Sequence, residues 1–229
     1  SIGVSQALTQ AMAQIGMPPT RLMVTPNGVD LGRFHLQPQA SARAALGWPA
    51  GPTLLSVGNL VENKGHHIAI EVLTQMPEFR LVIAGGGPQR QSLEALGHQL
   101  AVAARVQFLG SVPQDQLATC YSAADILLLP SSREGWPNVL LESMACGTPV
   151  VATRVGGIPE IVTANAAGRL MANRTVADAV FAIQDLWQNM PDRVAVRACA
   201  KGCSWQATTD AQVKLFSRIA SENLDHLHA

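Results

Sequence analysis

From residue 53 onward, short uninterrupted runs of Val, Ile and Leu alternate with longer stretches whose apolar positions recur at helical spacing. The runs fall at 53–57, 80–84, 105–109, 125–129 and 148–152, with 168–171 a weaker sixth. They are continuously apolar rather than alternating, which predicts parallel strands covered by helices on both faces. The stretches between them predict helices over 65–75, 89–101, 113–123, 137–146 and 175–189. Such a β-α-β-α alternation predicts a Rossmann-like, doubly wound α/β sheet, in which ligands bind beyond the carboxyl ends of the strands.

The first forty residues do not fit this repeating unit. A strand and a helix are expected around 4–15, then an apolar stretch at 22–25 and the turn Pro26-Asn27-Gly28. Pro38, Gly47, Pro49, Gly51 and Pro52 crowd into 36–52, a composition that predicts a boundary. The expected division is therefore 1–40, 41–203 and 204–229, the last reading as one more helix. Its final Asp225-His226-Leu227-His228 reads as a frayed tail, and alternate spacing on a helix points the two histidines apart, against a metal role.

Composition narrows the function classes. With 48% hydrophobic and 14% charged residues, the 229-residue chain can bury a core and lacks the charge density of a disordered segment. Sixteen Lys and Arg balance sixteen Asp and Glu, so no basic excess exists to neutralise a nucleic-acid backbone, and no nucleic-acid partner is expected. No uncharged apolar run approaches the roughly 18 to 20 residues needed to cross a bilayer. Cys120, Cys146, Cys199 and Cys203 are too few and too scattered for a disulfide scaffold, which fits a reducing, cytoplasmic location. Cys199 and Cys203 lie four apart in an Ala- and Arg-rich predicted helix with no further ligands at matching spacing, so both are expected to pack rather than bind metal.

The segment from Ser131 to Ala152 carries the sharpest candidate chemistry. It follows a predicted strand directly; Pro137 suits the first turn of a helix and Gly147 its exit, so Glu134 falls in the loop and Glu142 in the helix. Glu142 is surrounded in sequence by Leu140, Leu141, Met144 and Ala145, and a carboxylate beside such a face needs donors to offset desolvation. Ligand hydroxyls could supply them; pairing with an Arg or an outward orientation would serve equally.

This segment resembles the Glu-x7-Glu signature of the retaining nucleotide-sugar glycosyltransferases called group 1, or family four, which have the GT-B fold. Other matching stretches follow the family order: Pro26-Asn27-Gly28-Val29-Asp30 with Phe34, Val57-Gly58 with Lys64-Gly65, Ala84-Gly85-Gly86-Gly87-Pro88, Val106 to Gly110, Ala124-Asp125, and Gly156-Gly157-Ile158-Pro159-Glu160. The resemblance covers nearly the whole chain. It implies the C-terminal, donor-binding half of a GT-B hexosyltransferase-like enzyme that moves a sugar from a UDP-, GDP- or ADP-linked donor to an acceptor sugar or lipid.

By that resemblance, Glu134 contacts donor sugar hydroxyls and Lys64 binds the diphosphate, offsetting charge on the leaving nucleotide. Gly135, Trp136, Pro137, Asn138, Val139 and Leu140 bring backbone amides and a helix start to the sugar and diphosphate. Glu142 accepts from the ribose hydroxyls, while Gly86 and the turn Ser111-Val112 border the base. No cofactor or metal is implied, and the chain has no Asp-x-Asp motif. The resemblance further implies a separate N-terminal acceptor domain, of which 1–40 would be a remnant, peripheral membrane association of the intact protein, and no sugar transfer by these 229 residues alone.

The chain departs from the family at Asn59, where many relatives carry an Arg that shares the diphosphate with the lysine. Either diphosphate binding is weaker, or Arg133 or Arg154 assists. Cys203, where relatives often place an aromatic before Ser204-Trp205, has a packing consequence only. Asn59 favours one alternative, a non-catalytic nucleotide-sugar-binding module. A GT-B sugar-nucleotide epimerase is another, against which stands the run from Glu134 to Glu142 followed by Gly147-Thr148-Pro149-Val150-Val151.

Overall fold

A computed structural model describes residues 1–227, with side chains as far as Ser221. The side chains of His226 and His228, and with them the expected frayed tail, lie outside the described residues. The chain opens with strand β1 (Ile2–Gly3), helix α1 (Gln6–Gln14) and strand β2 (Met23–Val24), and β1 and β2 pair in parallel as a small sheet of their own.

Helix α2 (Gln39–Leu46) follows where the sequence predicted only a boundary. The proline and glycine that suggested a break are its ends. Pro38 caps the first turn, where a missing N–H costs nothing, and Gly47 closes the last in a left-handed conformation, φ 65°. Residue 40, the expected division, thus lies inside a helix that packs on the main sheet.

That sheet comprises β3 (Thr53–Val57), β4 (Arg80–Ala84), β5 (Val106–Gly110), β6 (Ile126–Leu129), β7 (Val150–Thr153) and β8 (Gly168–Met171), all parallel in the order β5-β4-β3-β6-β7-β8. Its connections are α3 (His66–Val72), α4 (Arg90–Gln99), α5 (Gln114–Ala123), α6 (Asn138–Ala145) and α7 (Ile158–Ile161), with α8 (Val176–Gln188), α9 (Arg193–Lys201) and α10 (Trp205–Leu227) after the last strand. β7 begins later than predicted because Pro149 has no N–H to give a ladder and the Thr148 hydroxyl turns back to the Tyr121 carbonyl.

Successive strand residues point to opposite faces, and each face has its own core. Leu55, Val82, Leu127 and Val150 pack with α2, α5, α6 and α9, whereas Leu54, Leu81, Ile126 and Val151 pack with α3, α4 and α8. This is the doubly wound α/β architecture that the apolar runs predict. One correction concerns the cysteines: α9 ends at Lys201, so Cys203 sits beyond it, packs against the first core with Cys199, and lends its carbonyl to the Val29 amide at 2.8 Å. The linker between β2 and α2, residues 25–38, is joined to α10 as well, through Thr208 Oγ1 donating to the Pro26 carbonyl at 2.6 Å.

Asp125 ties α2 to the sheet. Its carboxylate accepts from Arg43 Nη2 at 2.7 Å, Gln39 Nε2 at 2.9 Å and the Thr53 amide at 2.7 Å. Asp125→Ala leaves an arginine that is only 16% exposed without its counter-charge and a buried amide without an acceptor. The expected outcome is a loss of about 2 to 3 kcal/mol in urea denaturation with the fold retained.

Candidate functional site

The direction of the sheet reverses between β3 and β6. From β3 the chain builds outward through β4 to β5, then returns to the other side of β3 and builds through β6, β7 and β8. A parallel sheet opens a crevice at such a switch point, beyond the carboxyl ends of the two strands. Here the crevice is framed by loop 58–65 after β3 and loop 130–137 after β6.

Across it, Lys64 Nζ donates to Glu134 Oε1 at 2.7 Å, and the same oxygen accepts from Ser131 Oγ at 2.7 Å. The side chains are 23% and 9% exposed, so the pair is largely withdrawn from water. The loops beneath them touch backbone to backbone. Gly65 has φ 72°, and a Cβ there would lie 2.2 Å from the Pro130 carbonyl, so only glycine brings the lysine loop this close. The Ser132 amide donates to the Asn63 carbonyl at 2.8 Å, while Arg174 donates to the carbonyls of Pro130 and Glu62 at 2.8 and 3.3 Å.

His66 supports the lysine loop from below. It is 1% exposed, with Nε2 3.2 Å from the Asn59 carbonyl and Nδ1 3.0 Å from Ser56 Oγ. A carbonyl can only accept, so Nε2 carries the proton, and in the neutral ring Nδ1 accepts from the serine hydroxyl. Burial drives its pKa down from 6.5 to about 4, with the nearby Lys64 charge acting in the same direction.

Further loops extend this edge. The Gly85 amide donates to the Gly110 carbonyl at 2.7 Å and the Leu60 amide to the Gly86 carbonyl at 2.9 Å; a Cβ on Gly86 would lie 2.8 Å from Ser111 Oγ. Asn59, Gly86, Ser111 and half-buried Val112 therefore share one rim with Lys64, and Asn59 is exposed. Arg133 and Arg154 flank the glutamate loop, exposed and without side-chain partners among the described residues. A hollow of about 840 Å³ lies elsewhere, along the free edge of β5 beside Arg80, Arg90 and Phe108, and contains none of these residues.

Past Glu134 the chain turns inward. Gly156 has φ 52°, and a Cβ there would meet the Glu134 carbonyl at 1.7 Å; the Gly157 amide donates to the Gly135 carbonyl at 3.1 Å. The loop after β7 thus lies directly against the glutamate loop. Trp136 Nε1 donates to the Asn27 carbonyl at 3.0 Å, and Asn138 Oδ1 accepts from Asn27 Nδ2 at 3.3 Å. Those two side chains are engaged with the linker, and Pro137 and Leu140 are buried. Glu142 and half-buried Val139 follow on α6. Glu142 Oε2 accepts from the fully buried Tyr121 hydroxyl at 2.8 Å, so the donor that its apolar surroundings require is a tyrosine rather than an arginine. Burial raises the pKa of Glu142, and Tyr121 and then Arg33 oppose the rise.

His66, Tyr121, Arg174 and Ser56 were not singled out from the sequence. Glu160 lies in a recognised motif without an assigned role, and the structure gives it one: Oε2 and Oε1 accept from the amides of Gln6 and Ala7 at 2.9 and 3.1 Å, capping α1. Among the described residues no group of three or more His, Cys, Asp or Glu is placed to hold a metal ion, and no helix is long and apolar enough to cross a membrane.

The buried histidine gives the fold a pH dependence. Its native pKa lies below the unfolded value, so its contribution to stability is complete above about pH 6.5 and is lost as pH falls from 6.5 toward 4. Glu142, raised rather than lowered, acts in the opposite sense. Between about pH 7 and about pH 4.5 the wild type is expected to lose about 2 to 3 kcal/mol more than His66→Gln, measured by urea denaturation of both proteins at both pH values.

Comparison with known proteins agrees with this architecture. Residues 39–202 match the family described as glycosyl transferases group 1. The D-inositol 3-phosphate glycosyltransferases of Mycobacterium tuberculosis and Mycobacterium bovis are 35% identical over 226 residues, covering 93% of this chain and 47% of theirs. The chain thus spans about half the length of the curated relatives it matches. Sucrose-phosphate synthase of Thermosynechococcus elongatus superposes with a TM-score of 0.84 at 28% identity, over 96% of this chain and 58% of that one. HepE of Anabaena, solved in complex with UDP-glucose, gives 0.86 at 24% identity, over 95% and 63%. The fold is that of the GT-B glycosyltransferases, and on the family match and the mycobacterial relatives together the chain belongs to the group 1 glycosyltransferases.

Proposed function

We propose that the chain is the donor-binding part of a retaining glycosyltransferase. It binds a nucleoside-diphosphate sugar, and the rest of the intact enzyme holds the acceptor, a sugar or lipid. The observation that carries this reading is the Lys64–Glu134 pair at the switch point of the sheet. A diphosphate entering the crevice takes Lys64 as its counter-charge, which frees the Glu134 carboxylate to accept from sugar hydroxyls. The amides at the start of α6, after Gly135, lie beside the same loop and suit the negative charge that grows on the leaving group.

Glu142 accepts from the ribose hydroxyls, and the Gly86 and Ser111-Val112 rim borders the base, chiefly through backbone. Lys64 and the helix start meet the diphosphate charge, so this reading calls on no metal. Retention of configuration is carried over from the family resemblance. Asn59 supports a second reading, a non-catalytic nucleotide-sugar-binding module, since a neutral amide stands exposed on the rim where a second cation would strengthen the hold on phosphate.

Titration calorimetry with UDP, GDP and ADP and their sugars ranks the donors and tests the assignments. Glu142→Ala is expected to weaken nucleotide binding by about 1 to 3 kcal/mol in a protein that remains folded by circular dichroism. Lys64→Ala should remove most of the affinity, and Asn59→Arg should tighten it by adding a charge-assisted contact. Silence at Lys64 combined with weaker binding by Asn59→Arg would mean that the phosphate site lies in another loop.

A further inference from the structure

Tyr121 is the chain's single tyrosine, and its ring is fully buried on α5. Phe34 of the linker meets it edge-on at 6.0 Å, and its backbone carbonyl accepts from Thr148 Oγ1 at 2.6 Å, so both ring and backbone are fixed. A phenylalanine would fill this space as well. The hydroxyl has one partner, Glu142 Oε2, at 2.8 Å, and no hydrogen bond reaches Glu142 Oε1 among the described residues. A phenol that donates to one carboxylate oxygen and leaves the other open sets the plane of the carboxylate.

We propose that Tyr121 is a positioning residue for the nucleoside of the donor: its hydroxyl holds Glu142 so that Oε1 and the remaining lone pair of Oε2 accept from the vicinal diol of a ribose. The proposal rests on the ribose reading of Glu142. It makes the site selective for ribonucleotides over 2′-deoxyribonucleotides, because a diol matches two acceptor positions and a single hydroxyl leaves one of them unpaired.

The charged and titratable groups facing Glu142 are Tyr121 from α5, Arg33 from the linker, and Cys146 one turn further along α6. Tyr121 and Arg33 favour the carboxylate against the burial that disfavours it. Removing the hydroxyl therefore shifts protonation of Glu142 to higher pH, and a protonated acid presents fewer acceptor sites to the diol.

The test is calorimetric titration of wild type, Tyr121→Phe and Glu142→Ala with UDP, GDP and ADP and with their 2′-deoxy counterparts, at neutral and at mildly acidic pH. Wild type is expected to prefer the ribo form. Tyr121→Phe should bind the ribo form about tenfold more weakly and the 2′-deoxy form within about twofold of wild type, with the deficit widening as pH falls. Equal weakening of both forms, or of neither, would overturn the proposal. If Glu142→Ala itself leaves affinity and sugar preference intact, the ribose reading has failed; if Glu142→Ala is impaired while Tyr121→Phe matches wild type, only the role of Tyr121 has.

A second measurement needs no substitution. With one tyrosine in the chain, 3-fluorotyrosine labels this position alone, and its 19F resonance should move on addition of the ribonucleotide and far less with the 2′-deoxy form. Equal shifts with both, or none with either, would count against the proposal.

Discussion

The Lys64 ammonium and the Glu134 carboxylate sit 2.7 Å apart, largely out of water, and neither could stay there unpaired. Their meeting demands that two loops from adjacent strands touch along their backbones. Gly65 permits the approach, the Ser132–Asn63 bond fixes its register, and Arg174 braces Pro130 and Glu62 together. His66 supports the same loop without adding a third charge, because burial keeps its ring neutral. The Lys64–Glu134 pair is therefore charge-balanced as it stands. On the proposed reading, an incoming diphosphate would exchange partners with a carboxylate instead of meeting a bare cation.

The linker takes part in this arrangement. Asn27 holds Trp136 and Asn138, Phe34 packs on Tyr121, and Arg33 faces Glu142. The signature residues after Glu134 are thus shaped from the amino-terminal side as much as from the sheet that carries them. The side chains of Trp136 and Asn138 serve the loop's conformation.

Much of this was legible in the sequence because it is local. Continuous apolar runs mark strands buried on both faces, and the strand, loop and proline order places Glu134 in a loop and Glu142 on a helix. Other features depend on contacts between residues far apart in the chain. Tyr121 meets Glu142 across 21 positions and Arg174 meets Pro130 across 44, and no periodicity encodes either meeting. Helix α2 was hidden in the sequence for a different reason. Proline and glycine end helices as well as interrupt them, so α2 between Pro38 and Gly47 looks in sequence like a broken segment. The direction in which Trp136 points is likewise set by where the linker docks.

The cap that Glu160 places on α1 couples two parts of the molecule mechanically. One carboxylate grips the amides of Gln6 and Ala7, while Gly156 and Gly157, a few residues earlier, press against the carbonyls of Glu134 and Gly135. A tilt of α1 relative to the sheet would therefore strain either the Glu160 contacts or the turn that backs the Glu134 loop. The turn at 156–160 thus joins the amino-terminal helix to the Glu134 loop, by carboxylate hydrogen bonds on one side and close backbone contact on the other.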